Sequence, residues 1–166
     1  MDTEHAVIGS KEDEIVEEKL RVLVVDDELP IRERLKQLNW DKWDAQWAGE
    51  ADNGEVALDY CADHPIDVVL TDITMPIMNG FELFQVLQDE FPDTKVILLT
   101  NHNDFDYARQ AIKLGAVDYL LKVSFSEEEL GRALKLAYEQ IVRDRSLLVN
   151  RKKQERERIA ELFRKL

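Results

Sequence analysis

Val68-Val69-Leu70-Thr71-Asp72 is a short apolar run that closes on a carboxylate. A β-branched, apolar run of this length, bounded by turn signals, reads as a strand buried on both faces. The bounds are His64-Pro65 before it and Met75-Pro76 and Asn79-Gly80 after it. An Asp that ends such a strand lies at the C-terminal edge of an α/β sheet, where ligands bind. A helix-cap or loop carboxylate is the competing reading of Asp72, since Asp is enriched at both places.

Working outward, the same grammar repeats. Val22-Leu23-Val24-Val25 is a buried strand that ends on Asp26, Asp27 and Glu28. Pro30 suits a first helical turn, and Ile31, Leu35 and Leu38 follow on one face. Residues 40–44 read as a loop, and 46–51 as a weak edge strand. Asn53 caps a helix carrying Val56, Ala57, Leu58, Tyr60 and Cys61. A helix over about 81–90 presents Leu83, Val86 and Leu87 to the sheet. Lys95 to Thr100 is a fourth strand. A helix starting at Asn103 or Asp104 buries Phe105, Ala108, Ala111 and Ile112 and stops at Gly115. Ala116 to Lys122 is a fifth strand. Ser126 and Glu129 form a capping box for a helix whose face is Leu130, Ala133, Leu134, Ala137 and Ile141. Five strands alternating with five helices predict an α/β fold: a doubly wound five-stranded parallel sheet with a C-terminal helical extension.

The totals divide the chain. The net charge is −13; residues 1–19 hold seven acids against two bases, and 143–166 hold nine bases against four acids. We expect an acidic extension over 1–19, a folded domain over 20–142, and a basic helical linker over 143–166. The acidic centre argues against direct nucleic-acid binding and suits a site for a divalent cation. The basic end reads as a solvated linker helix ahead of nucleic-acid contact. From Asn150 to Arg158 there is no apolar residue, and then Ile159, Leu162, Phe163 and Leu166 resume helical spacing. That resumption predicts a further domain beyond the linker. No apolar run reaches the roughly 18 residues of a membrane span, and no signal peptide opens the chain. With the single Cys61, read as a buried small hydrophobe, this fits a cytoplasmic protein.

The strand ends then supply Asp26 and Asp27, Asp72, Thr100 and Lys122 to one rim of the sheet. Carboxylates so close repel unless a cation joins them, and oxygen-only ligands suit Mg²⁺. Lys122 is a point charge for a phosphate oxygen, and Thr100 adds a neutral hydrogen bond. An ionised Asp beside Mg²⁺ and a lysine is a nucleophile towards phosphorus. His5, His64 and His102 share no spacing and are assigned to no metal. Trp40, Trp43 and Trp47 read as edge packing.

These residues resemble the receiver domain of bacterial two-component response regulators. The likeness is carried by Val24-Val25-Asp26-Asp27-Glu28, by Leu70 to Gly80 with Asp72 and Met75-Pro76, by Leu98-Leu99-Thr100, and by Gly115 to Lys122. The run 103–115 most resembles receivers that precede AraC-type DNA-binding domains. The resemblance implies a flavodoxin-like sheet with strand order 2-1-3-4-5. It implies that Asp72 accepts a phosphoryl group from a sensor histidine kinase. Asp27, Asp72 and the backbone carbonyl of Thr74 would hold Mg²⁺, assisted by Asp26. Lys122 and Thr100 would contact the phosphoryl group, and Tyr119 would turn inward as Thr100 moves. Core packing is the rival role for Tyr119, as are plain strand packing for Thr100 and a surface position for Lys122. The resemblance further implies homodimerisation on phosphorylation, DNA contact only through a missing transcriptional output domain, and no membrane partner.

Two positions depart from the family's pattern. Val123 stands where proline follows the lysine, so a trans peptide is expected there. Asn101 stands where a small residue follows the threonine, and with His102 it is expected to alter the lifetime of the phosphoryl group. Two rival functions stay open: an aspartyl-phosphate phosphohydrolase, and a receiver-like interaction module that is never phosphorylated. The first wants an acid two residues after the nucleophile, where this chain has Thr74.

Overall fold

The computed structural model describes residues 18–166. Nearly all of the expected acidic extension over 1–19 therefore lies outside the described residues. Five strands form one parallel sheet: β1 (Leu20–Val25), β2 (Ala45–Ala51), β3 (Val68–Asp72), β4 (Lys95–Thr100) and β5 (Asp118–Leu121). Their order is β2-β1-β3-β4-β5, as expected. Between them run α1 (Leu29–Lys36), α2 (Gly54–Asp63), α3 (Gly80–Glu90) and α4 (Phe105–Leu114), and α5 (Glu127–Arg164) closes the chain.

Side-chain alternation along the central strands builds two cores. Leu23, Val25, Val69 and Leu98 face α2, α3 and α4, packing on Ala57, Leu83, Phe84 and Ala108. Val22, Val24, Leu70 and Leu99 face α1 and α5, packing on Leu35, Leu130, Leu134 and Ala137. Both faces of β1, β3 and β4 are buried, which is why those segments read as unbroken apolar runs. β2 and β5 are the edges.

Local chemistry sets the boundaries. Asn53 accepts the Val56 N–H, and Asn79 and Glu82 form a reciprocal capping box that opens α3. At the end of α4, Gly115 takes φ +118°, a conformation that costs glycine little. Ser126 caps α5 through the Glu129 N–H, but the Glu129 carboxylate turns to the Ser126 hydroxyl and the box is half formed.

Several details differ from the sequence reading. Residues Trp40–Trp43 coil into a 3₁₀ turn, and the Trp40 indole N–H donates to the Leu35 carbonyl. Phe84, not Val86, joins Leu83 and Leu87 under α3, because Gly80, Leu83, Phe84 and Leu87 form the i, i+3, i+4, i+7 stripe and Val86 lies beside it. Val56 faces solvent. β5 is shorter than the apolar run around it, since β4 offers it partners only from Ile97 to Thr100. The peptide after Lys122 is trans, as are all the described peptide bonds. α5 runs 38 residues without a break. Its last buried residue is Ile141; beyond it every side chain is exposed except the half-buried Ala160. No helix among the described residues is long and apolar enough to cross a membrane.

Candidate functional site

Register brings the site together. Val25 pairs with Thr71, so the next residues, Asp26 and Asp72, leave adjacent strands at the same level. Both continue the rows of Val24 and Leu70, whose side chains face α1 and α5. Lys122 continues the same row from Leu120. Three ionisable groups thus converge on one face of the rim, and all three are buried, at 0%, 2% and 4% exposure for Asp26, Asp72 and Lys122.

Lys122 Nζ donates to Asp72 Oδ2 at 2.8 Å and lies 2.9 Å from Asp26 Oδ2, with Glu28 Oε1 further out at 3.6 Å. The other oxygen of Asp72 accepts the Ile73 N–H at 2.8 Å. Asp26 Oδ1 accepts the Glu28 N–H at 2.8 Å, and the Asp26 carbonyl accepts from Arg32 at 2.6 Å. Asp27 is exposed, yet offers an oxygen to a group with Asp26 and Asp72 in which all three ligand atoms lie within 4.8 Å of one another.

The electrostatics follow from burial. Desolvation raises the Asp72 carboxyl to about 6; the Lys122 hydrogen bond works against this, and the Asp26 charge works with it. Asp26 is also raised, chiefly by burial, against the Glu28 N–H and Lys122. Burial alone would lower Lys122, but its bonds to Asp72 and Asp26 outweigh that and hold it firmly protonated.

A divalent cation fits this donor set. Asp26 Oδ2 is buried and accepts no hydrogen bond, because Lys122 Nζ, though close, is poorly aligned with it. The Lys122 ammonium instead hydrogen-bonds Asp26 Oδ1 at 3.2 Å, so Oδ2 keeps lone pairs free for a metal ion. Oxygens on opposite sides of Mg²⁺ stand about 4 Å apart, the scale of this cluster. Asp26, Asp27, Asp72 and Glu28 face a single ammonium, so the hollow stays strongly negative.

The remaining expected residues sit around this centre. Thr100 is buried at the end of β4, and its hydroxyl donates to the Asn101 carbonyl at 2.9 Å. Tyr119 pairs in register with Leu98, two residues before Thr100 on the same face. It is half-buried and meets Phe105 edge-on at 5.2 Å between ring centres. Thr74 lies exposed on the loop after β3, where its hydroxyl donates to Asp104 Oδ2 at 2.9 Å. Sequence reasoning gave no part in the site to Arg32, to Asp104, read only as a possible helix start, or to Gly80, read only as a turn. Gly80 opens α3 so close to Asp72 that a Cβ there would stand 2.0 Å from the Asp72 carbonyl oxygen. The Asn79-Gly80 turn signal was visible in the sequence; the contact was not.

A family model described as the response regulator receiver domain matches residues 22–135. The transcriptional regulatory protein DegU of Brevibacillus brevis is 33% identical over 110 residues, covering 66% of this chain and 47% of that protein. The transcriptional regulatory protein YdfI of Bacillus subtilis is 39% identical over 107 residues, covering 64% of this chain and 50% of YdfI. The chain therefore spans about half the length of these relatives. Among solved structures, the receiver domain of AraT from Geobacillus stearothermophilus superposes with a TM-score of 0.67 at 32% identity, covering 75% of this chain and 98% of AraT's. The receiver of a NarL regulator from Mycobacterium tuberculosis gives 0.65 at 33%, covering 73% of this chain and 98% of that one. With most of its length inside the family model, and acids and a lysine at the strand ends, the chain belongs to the response regulator receiver domain family, a family of signalling domains.

Proposed function

We propose that Asp72 is the phosphoacceptor of this receiver and that Mg²⁺ is its cofactor. The observation that carries this reading is the contact of Lys122 Nζ with Asp72 Oδ2 at 2.8 Å, beside Asp26 and Asp27. Asp27, Asp72 and the Thr74 carbonyl would hold the ion, with Asp26 assisting. A bound Mg²⁺ supplies neutralisation of the charge on the transferring phosphoryl oxygens. A carboxylate oxygen of Asp72 attacks phosphorus, the bond from phosphorus to the donor breaks, and the leaving group keeps the electron pair. The Ile73 N–H orients the nucleophile from its other oxygen. Lys122, already charged and buried, then follows the phosphoryl oxygens. The Thr100 hydroxyl turns from the Asn101 carbonyl to the phosphoryl group, and Tyr119 moves into the space it leaves. To carry a switch from 1:99 to 99:1, the new contacts must favour the active state by about 5.5 kcal/mol. The half-buried Asn101 and exposed His102 would set how readily water reaches the acyl phosphate.

The donor would be a sensor histidine kinase in the cytoplasm, and self-catalysed phosphotransfer to Asp72 would be the domain's only chemistry. Relatives in which the matched segment is only about half of the protein, named as transcriptional regulators, support an output domain coupled through α5. The run 103–115 and the solved receiver of a regulator named AraC from Clostridium phytofermentans (33% identity) favour an AraC-type output. The burial of α5 as far as Ile141 supports a receiver over 20–142 and a basic helical connection over 143–166. Homodimerisation would use the α4–β5–α5 face, and DNA would be met only by the output domain. Thr74 in place of an acid two residues after Asp72 counts against a phosphohydrolase.

The deciding experiment is incubation with Mg²⁺ and acetyl phosphate, followed by intact-mass analysis. One added phosphoryl group is expected, absent in Asp72→Asn. If no adduct forms under conditions that label another receiver, the unphosphorylated interaction module is the better reading.

A further inference from the structure

Among the described α-helices with a capping-type residue before them, α4 is the odd one. Asn53, Asn79 and Ser126 each have an extended backbone and accept an N–H of the helix they precede. Asp104 stands before α4 but also closes a 3₁₀ turn, His102–Asp104, that runs into the helix; its backbone is not extended (φ −103°, ψ 8°) and it makes no capping bond. Asp is among the strongest N-cap residues, so an idle one needs a reason. Its carboxylate is engaged elsewhere: Asp104 Oδ2 accepts the Thr74 hydroxyl at 2.9 Å, from a loop thirty residues away.

We propose that Asp104 is a positioning residue that exchanges partners, holding Thr74 in the state described here and capping α4 in the other. The proposal rests on the phosphoacceptor reading of Asp72 for what drives the exchange. Thr74 is two residues past Asp72, on the loop whose carbonyl would face the ion. Phosphorylation that shifts this loop withdraws the hydroxyl and frees the carboxylate. To cap α4, Asp104 must leave the 3₁₀ turn and take the extended backbone of the other caps, which brings its carboxylate to the first-turn N–H groups. A single exposed hydroxyl bond and an N-cap are of comparable strength, which is what makes the element bistable. The next residue, Phe105, carries the result onward, since its ring meets Tyr119. One hydrogen bond thus links the nucleophile's loop to the helix beside the switch aromatic.

Amide hydrogen exchange of the full chain tests this. Thr74→Val removes the donor and keeps the shape. Without any phosphodonor, it should slow exchange at Asp106 and Tyr107 about fivefold, because Asp104 is released to cap. Wild-type protein should show the same slowing only after acetyl phosphate. Asp104→Ala should still gain its phosphoryl group by mass but show no slowing in either state, and Asp104→Asn, which can both accept and cap, should restore the response. Unchanged exchange in Thr74→Val, or a wild-type response in Asp104→Ala, overturns the proposal. If wild type takes no phosphoryl group, the reading of Asp72 fails, whereas the donor-free slowing in Thr74→Val still decides whether Asp104 changes partners.

Discussion

The ammonium of Lys122 lies 2.8 Å from the Asp72 carboxylate, and both are nearly sealed from water. β4 separates their strands, so the long lysine stem reaches back across it to hold a charge beside the nucleophile. A buried pair of this kind adds little net stability, but breaking it from one side is expensive. Here the lysine also serves Asp26.

Lys122→Met should therefore lower metal-free stability at pH 7.5 by about 3 kcal/mol, because two buried carboxylates lose their partner. Urea unfolding reads this directly. The loss should shrink at pH 5, where the carboxyls accept protons in place of the ammonium. Labelling by acetyl phosphate should fall about 100-fold, the scale of removing one fixed charge or donor at a reacting centre. A variant that unfolds normally and labels at the wild-type rate would remove Lys122 from the chemistry.

The Asp72 carboxyl gives wild-type protein a characteristic pH response. Its folded value, about 6, is above its ordinary 3.8, so the native state binds the extra proton between them. Its contribution to stability is complete below pH 4 and lost as pH rises through 6, on the order of 3 kcal/mol in chelator. Mg²⁺ needs the ionised form, so its affinity should rise with pH and level off above 6. Thermal melts at pH 5 and 7.5, with Mg²⁺ and with chelator, should show the larger Mg²⁺ stabilisation at pH 7.5. The opposite order would mean that the ion does not compete with the Asp72 proton.

What could be read from the sequence were the features with a period or a fixed end. Strands buried on both faces leave continuous apolar runs, and parallel strands bring their C-terminal residues to one rim, so Asp26, Asp72 and Lys122 were legible before any coordinates. Side-chain choices between near-equal partners were not. Nothing in the spacing says that Thr100 donates to Asn101 or that Thr74 reaches Asp104. Phe84 against Val86 is a different case: at 100° per residue Phe84 falls in the stripe of Gly80, Leu83 and Leu87 and Val86 falls beside it, so the helical period itself decides between them. A helical extension over 143–166 was legible from the spacing of Ile159, Leu162 and Phe163; that it continues α5 without a break was not, because residues 150–158 have no apolar face.

Gly80→Ala tests how tightly α3 is seated on the phosphoacceptor. Its new Cβ would meet the Asp72 carbonyl at 2.0 Å, and the obstacle is backbone. A destabilisation of about 2–3 kcal/mol is expected, with slower labelling of Asp72 as the loop is displaced. Asn79→Ala, one residue earlier, should cost only about 1 kcal/mol, for a lost cap. Equal urea midpoints for the two variants would contradict the close contact.

Cys61 is buried against α2's neighbours, and burial lifts its thiol to about 11. Its thiolate is scarce at neutral pH, and it is the thiolate that reacts. The folded protein should resist a thiol reagent at pH 8 and react fully in denaturing urea. Rapid modification of the native state would place the thiol at the surface.

The proposed boundary near residue 142 predicts that the distal helix is dispensable to the receiver. A chain ended after Ser146 keeps Ile141 and the Asp144–Lys95 ion pair at 2.5 Å, and it removes only exposed residues and the half-buried Ala160. Exposed helix with no tertiary contact contributes little to global stability. The truncated chain should unfold in urea within about 0.5 kcal/mol of the full one and take one phosphoryl group at the same rate. Ile141→Ala in the full chain should cost about 2–3 kcal/mol, because it empties a core position between α5 and the sheet. If truncation costs as much as Ile141→Ala, residues past 146 belong to the domain, and the basic helix is part of the receiver's fold.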